Sequence, residues 1–182
     1  YVLGLEAVLG SGEVIKTGGR LVKNVAGYDL TRLLVGSEGT LAVFTEITLA
    51  LSPRQKISKY GVAYFDNLAN ASVAVEAILT SGIVPSTLEF LDNKCVVAVE
   101  NFANLNLDKS AGALLLFGDD GMSEEVTHSV NQMAQIIKGI PGCKEVTLAK
   151  DIVEAEALLY ARRCSLPALA RLCTVTILED IS

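Results

Sequence analysis

The stretch GGRLVKNVAGYDLTRLLVGSEGTLAVFTE, residues 18–46, decides how the chain is read. Asp29 is a good N-cap for a short helix running through Leu33, and Gly36 suits its C-terminal stop. From Leu41 the pattern turns to that of a strand. Leu41, Val43, Thr45, Ile47, Leu49 and Leu51 point one way, Ala42, Phe44, Glu46, Thr48 and Ala50 the other, and Pro53 closes the run. Between helix and strand, Gly36-Ser37-Glu38-Gly39-Thr40 is a tight turn. Its two glycines remove Cβ atoms where the backbone or phosphates of a ligand approach closely, and its N–H groups suit an anion nest. The spacing is neither that of a P-loop, which needs Gly-x-x-x-x-Gly-Lys, nor that of a dinucleotide fingerprint, which needs Gly-x-Gly-x-x-Gly opening a helix. On composition alone, a helix-stop glycine followed by a turn glycine is also ordinary structure.

Upstream, residues 1–17 predict a hairpin: an apolar run through Val8 and Leu9, a turn at Gly10-Ser11-Gly12, and a return strand over 13–17. The first forty residues hold eight of the fifteen glycines, so the two ends of the chain do different jobs. Downstream, residues 52–57 (Ser-Pro-Arg-Gln-Lys-Ile) are polar and proline-marked, which places a domain boundary there. Beyond it the pattern predicts a strand over 58–66 and a helix over 67–81 with Leu68, Ala71, Val75, Ile78 and Leu79 at helical spacing. A second strand over 84–91, a helix over 93–103 and a loop over 104–109 follow. Then come a buried strand over 111–117, a helix capped by Ser123, a strand over 143–148, and a last helix from Asp151 with Glu154 completing a capping box. The order β-α-β, then β-α-β, fits a split βαβ, ferredoxin-like sandwich.

At 182 residues the chain has room for one or two domains. Its formal net charge of −6 argues against a nucleic-acid or anionic-membrane surface, both of which need clustered cations. The apolar runs are of strand length, well short of the roughly 18 residues that span a bilayer, and no basic leader precedes Glu6. Cys95, Cys143, Cys164 and Cys173 lack metal-ligand spacing, and His128 is the single histidine, so neither a metal site nor a disulfide framework is expected. His128 sits beside the apolar line through Val126 and Val130 and reads as a structural or solvated residue. The chain opens at Tyr1 inside a strand-like pattern, which leads to the expectation that it is a slice of something larger.

Residues 23–46 (KNVAGYDL, the run over 33–35, GSEGTL and the closing Thr45-Glu46) resemble the signature of FAD-linked oxidases of the para-cresol methylhydroxylase/vanillyl-alcohol oxidase fold. More narrowly, they are similar to the D-lactate dehydrogenase and glycolate oxidase subunit branch. VLGLEAVLGSGEVIKTGG, ahead of them, is similar to the strand pair leading into that signature, and LLYARRCSLPALARL to the stretch in which an arginine follows a Leu-aromatic pair. The resemblance implies an α+β protein: residues 1–52 as the end of a FAD-binding domain, and 58–182 as an incomplete substrate or cap domain of the ferredoxin-like kind.

The resemblance further implies that the turn over 36–40 lies along FAD and that the following strand passes the flavin. Gly36, Ser37, Glu38, Gly39 and Val43 are the cofactor candidates it yields, with Asn24 and Gly27 beside them. Charge repulsion from a diphosphate predicts that the Glu38 carboxylate turns away to hydrogen-bond the protein. Ala42 departs from the pattern, which has glycine there, and its methyl bears on the flavin contact. Arg162 matches the arginine that holds the substrate carboxylate, a task its guanidinium fork suits. The same pair of arginines also reads as a salt-bridging one, with Arg163 facing solvent.

In the resembling enzymes, a further FAD loop precedes the matching region, and the histidines that act as base and metal ligands follow it. No catalytic residue is therefore assigned, and the chain alone is expected to be inactive and to bind FAD poorly. The parent enzyme is expected to oxidise a small D-2-hydroxy acid of the lactate or glycolate type. A cytoplasmic protein, or one peripheral to the inner membrane within a parent complex, is implied. Two alternatives stand beside this reading. One is a non-catalytic α+β module that binds no FAD and takes a partner or small acid. The other, a ferredoxin-like regulatory domain with a fused hairpin, leaves the glycine-rich signature without a purpose. An exposed apolar patch is expected on 1–52, with self-association as its outlet.

Overall fold

A computed structural model describes all residues except 22, 54, 56 and 178–182. The boundary segment expected over 52–57 thus falls partly outside the described residues, as does the end of the expected cap domain. The chain divides into two compact units, Tyr1–Arg54 and Gln55–Ser182.

The first unit is a three-stranded antiparallel sheet with one short helix. The strands are β1 (Val2–Leu9), β2 (Val14–Gly18) and β3 (Ala42–Leu49), in the order β2-β1-β3. The hairpin forms as its glycines suggest: Gly12 takes φ +86° and donates its N–H to the Leu9 carbonyl at 2.9 Å. Helix α1 (Leu30–Leu34) starts where Asp29 accepts from the Arg32 N–H at 3.1 Å. Leu5, Ala7, Leu34 and Ala42 make a small core, with Phe44 and Ile15 packed against it. Of the two faces anticipated for the third strand, the Ala42/Phe44 side is the inner one. Val43, Ile47 and Leu49 are each more than half exposed, so the expected apolar patch is present.

The second unit is a four-stranded antiparallel sheet in the order β5-β6-β4-β7, formed by β4 (Ile57–Phe65), β5 (Thr87–Asp92), β6 (Ala113–Gly121) and β7 (Cys143–Leu148). This is the strand order of a ferredoxin-like sheet. The helices are α2 (Leu68–Thr80), α3 (Asn93–Ala103), α4 (Ser123–Lys138), α5 (Ile152–Arg163) and α6 (Ser165–Ala170). Phe65, Leu115 and Phe117 pack with the α2 and α4 residues Ala71, Ile78, Val130 and Met133. Tyr64, Leu114 and Leu116 pack on the other face with α3, α5 and α6 through Val96, Val99, Ala161 and Ala168. The sheet is therefore covered on both sides. A two-layer sandwich joins its second and third strands by a hairpin, whereas here α3 stands between them and supplies the extra layer. That is why residues 113–118 of β6 are all buried.

Several local readings shift. Strand β5 begins at Thr87 rather than 84, because Pro85 has no N–H to give a ladder. Helix α2 buries Ala71, Ala74 and Ile78 and leaves Leu68 and Leu79 exposed, so its inner stripe is narrower than the apolar spacing implied. Ser123 is not the cap of α4. The cap position is Met122, without a side-chain bond, and Glu124 and Glu125 supply the first-turn negative charge that favours the helix start. At α5 the capping pair forms with an offset. Asp151 accepts from the Val153 and Glu154 N–H groups, while Glu154 reaches back to the Lys150 N–H at 2.9 Å. Helix α6 was not anticipated; it follows α5 directly and tolerates Pro167 in its first turn. All four cysteines are free thiols; Cys95 and Cys164 are buried, Cys143 is half-buried and Cys173 exposed. Burial pushes the Cys95 thiol up. His128 stands exposed on α4.

Candidate functional site

The turn after α1 is built from left-handed backbone. Gly36 takes φ +86° and lets the Ser37 N–H close on the Leu34 carbonyl at 3.1 Å. Residues 37–40 then form a type I′ turn: Glu38 at φ +48° and Gly39 at φ +77°, closed by the Thr40 N–H on the Ser37 carbonyl at 2.9 Å and by the Thr40 hydroxyl on the same oxygen at 2.6 Å. A glutamate in this conformation is uncommon and costs about 1 kcal/mol relative to glycine. Among the described residues, chain neighbours apart, no atom lies within 4 Å of where a Cβ would stand on Gly36 or Gly39. These glycines are thus required by conformation and leave the space above them free for a ligand. The Ser37 hydroxyl oxygen is buried and without a partner among the described residues. The Glu38 side chain stands in solvent, and among the described residues it lacks the protein hydrogen bond expected for it.

The cofactor candidates are divided between two cavities of the first unit and the turn itself. Gly39 and Val43 line a cavity of about 380 Å³ with Val8, Leu9 and Leu41. Asn24 and Gly27 line another, of about 470 Å³, together with Thr17 and Thr31, whose hydroxyls lie 2.9 Å apart. Gly36, Ser37 and Glu38 line neither of these two. Ala42, expected to bear on a flavin contact, packs in the small core with Leu5, Ala7 and Leu34 and also lines the cavity of Gly39 and Val43. Alternation explains this: Ala42 faces the core, so Val43, two-thirds exposed, faces outward.

In the second unit Arg162, near the end of α5, donates from Nε to Glu89 Oε2 on β5 at 2.6 Å. The Glu89 carboxylate raises the Arg162 pKa. Both side chains are partly open to solvent, and they rim a small apolar recess of about 10 Å³ lined by Leu91, Leu107, Leu114, Leu116, Leu158 and Ala161. Arg163 pairs through Nη2 with Glu156 of its own helix at 3.0 Å and faces solvent. Glu89 is the residue that sequence reasoning missed. Its signal was a carboxylate interrupting the apolar run Leu88, Phe90 and Leu91 of β5. Among the described residues no group of three or more His, Cys, Asp or Glu side chains is placed to hold a metal. No helix there is long and apolar enough to cross a membrane.

The chain has a mixed α+β fold of the kind seen in para-cresol methylhydroxylase. The chain superimposes on p-cresol methylhydroxylase with a TM-score of 0.63 at 14% identity, over 86% of its own length and 36% of that chain, a likeness that bears on the fold alone. The family is narrower: residues 54–182 match the model for FAD linked oxidases, C-terminal domain, and the chain belongs to that family. Glycolate oxidase subunit GlcD of Bacillus subtilis is 46% identical over 180 residues, 99% of this chain and 38% of that protein. The mitochondrial D-lactate dehydrogenase [cytochrome] of Arabidopsis thaliana is 40% identical over 134 residues, 73% of this chain and 24% of that protein. The chain thus spans between about a quarter and two-fifths of the length of these relatives.

Proposed function

We infer that this chain supplies part of the FAD site and the carboxylate-binding arginine of a flavin-dependent oxidoreductase acting on small D-2-hydroxy acids of the lactate or glycolate type. The turn at residues 36–40 carries the reading. It holds a strained glutamate, two glycines with open space above them and a buried hydroxyl without a partner among the described residues. Such a cradle suits a ligand better than a simple chain reversal, for which less strained turns suffice. The flavin, when bound, accepts the hydride from the substrate's α-carbon. Gly36, Ser37 and Gly39 give the cofactor close backbone approach, and the exposed Val43 offers it an apolar wall. Arg162 orients the acid by holding its carboxylate with two parallel N–H donors. Asn24 and Gly27 belong to the wall of a separate cavity in the same unit.

The Glu89–Arg162 ion pair favours a second reading, in which the arginine is structural and the chain is a non-catalytic module. Purifying the full-length protein that contains this chain separates the two. A yellow protein that turns over D-lactate or glycolate with an artificial electron acceptor supports the enzyme. A colourless full-length protein that takes up no added FAD overturns it. The chain expressed alone is expected to bind FAD poorly and to self-associate through the Val43, Ile47 and Leu49 face, which size-exclusion chromatography reads directly.

A further inference from the structure

We propose that Glu89 is a positioning residue that presents Arg162 to the substrate carboxylate; the proposal rests on the carboxylate-binding role of Arg162 given above. Strand β5 sends Leu88 to one core and Leu91 to the other, and Glu89 lies on the Leu91 side, where Leu114 and Leu116 form the adjoining surface. The Glu89 side chain is 39% exposed there, so its carboxylate keeps part of its hydration while it holds a charged partner. Its partner comes from 73 positions along the chain, and the contact is short, at 2.6 Å.

The choice of nitrogen matters. A guanidinium carries five N–H donors, and its terminal Nη1/Nη2 edge can hold a second carboxylate bidentately. Glu89 contacts Arg162 through Nε, which leaves that terminal edge available, and the side chain keeps 55% of its exposure. Arg163 shows the opposite arrangement, since Glu156 occupies its Nη2. The recess beneath Arg162 has room for no more than about one water, so the aliphatic stem cannot fold inward. Gripped at Nε and blocked below, the guanidinium is held in one orientation before substrate arrives. The pair is also nearly neutral as a unit, so recognition of the acid depends on short-range fork geometry rather than on long-range attraction.

The test uses the full-length flavoenzyme and the kinetics of 2-hydroxy-acid oxidation, with flavin content as the check on folding. Glu89→Ala should raise KM about tenfold while kcat changes by less than about twofold, because uniform binding of the carboxylate is lost. Glu89→Gln retains an acceptor oxygen at the same reach and should recover most of that loss. In an Arg162→Ala background, Glu89→Ala should add nothing. A KM that is unchanged or lowered by Glu89→Ala, while Arg162→Ala raises it, would make Glu89 a competitor and overturn the proposal, leaving the role of Arg162 intact. An additive penalty in the double variant would make Glu89 merely structural and overturn it as well. An unchanged KM in Arg162→Ala alone removes the arginine's role and the proposal with it. Should Glu89→Ala lose its flavin, Glu89→Asp carries the same test: a smaller rise in KM that vanishes without Arg162 supports positioning, and one that persists refutes it.

Discussion

The two sheets treat their apolar residues in opposite ways. In the second unit β6 is buried along residues 113–118, because α2 and α4 cover one face and α3, α5 and α6 the other. In the first unit β3 keeps only Ala42 buried, with Phe44 partly so, while Val43, Ile47 and Leu49 stand in solvent. Among the described residues the first sheet has one helix of five residues to cover it, and the second has five helices. A strand closed on both faces contributes stability; a strand open on one face keeps apolar surface for something else to cover. The contrast fits the cofactor-facing surface proposed above for the first unit.

Substitutions can break that contrast. Phe117, fully buried in β6, should cost about 3–5 kcal/mol when changed to Ala, read as a lowered urea midpoint by circular dichroism. Val43→Ala should change stability by less than about 0.5 kcal/mol and instead lower the flavin content of the full-length protein. Comparable destabilisation by both would mean that the β3 face is core after all. Glu100→Ala should rank just below Phe117→Ala, at about 3 kcal/mol. The Glu100 carboxylate lies buried and accepts from the Leu105 and Leu107 N–H groups at 3.0 and 2.9 Å, so its loss strands two donors behind α3. Within the turn the expected effects are smaller and of opposite sign. Gly39→Ala should destabilise by about 1 kcal/mol because φ is +77°, and Glu38→Gly should stabilise by up to that amount by relieving φ +48°. A destabilising Glu38→Gly, measured in the same urea titration, would show that the glutamate holds the turn rather than straining it.

Much of this was legible because the decisive features are local. The two-residue period from Leu41 onward and at Tyr60, Val62 and Tyr64, Gly12 in the hairpin turn, and Asp29 and Asp151 as caps each act within a few residues. What the sequence hid depends on partners far away along it. Nothing near residue 93 says that α3 will pack on the face opposite α2, since both helices offer apolar faces to either side of the same sheet. The offset at Glu154 turns on one residue of register, and Ser123 lost its capping role because the helix started one residue early. The site divides the same way. The turn at 36–40 was readable from glycine spacing, whereas the Glu89–Arg162 contact joins an edge strand to a helix 73 positions later.

The smallest expected effect concerns the polar centre of the first sheet, where Glu6 on β1 meets Lys16 on β2 at 3.0 Å and accepts from the Thr45 hydroxyl at 2.8 Å. Thr45 first, and Lys16 after it, hold the Glu6 carboxyl below the usual carboxylate range, and Glu6 in turn pushes the Lys16 ammonium up. A depressed folded-state pKa means that the unfolded chain binds the proton more readily. The contribution of Glu6 is therefore present above the usual carboxylate range and is lost as pH falls through the lowered value. For Lys16 the sign reverses, with stability present below the ordinary lysine range and lost as pH rises through the raised value. The Lys16 side chain stands in solvent, so the ionic part should fade with salt, while the Thr45 hydrogen bond, whose donor is neutral, should not. Thr45→Val is thus expected to move the Glu6 titration, followed by NMR, further toward the usual range than Lys16→Met does, and to do so in high salt as well as low. Were added salt alone to restore an ordinary Glu6 titration in the unsubstituted protein, the hydroxyl would have no part in it. This cluster would then be a charge pair on an open surface, with nothing to distinguish it from Lys144 and Asp66 on the second unit.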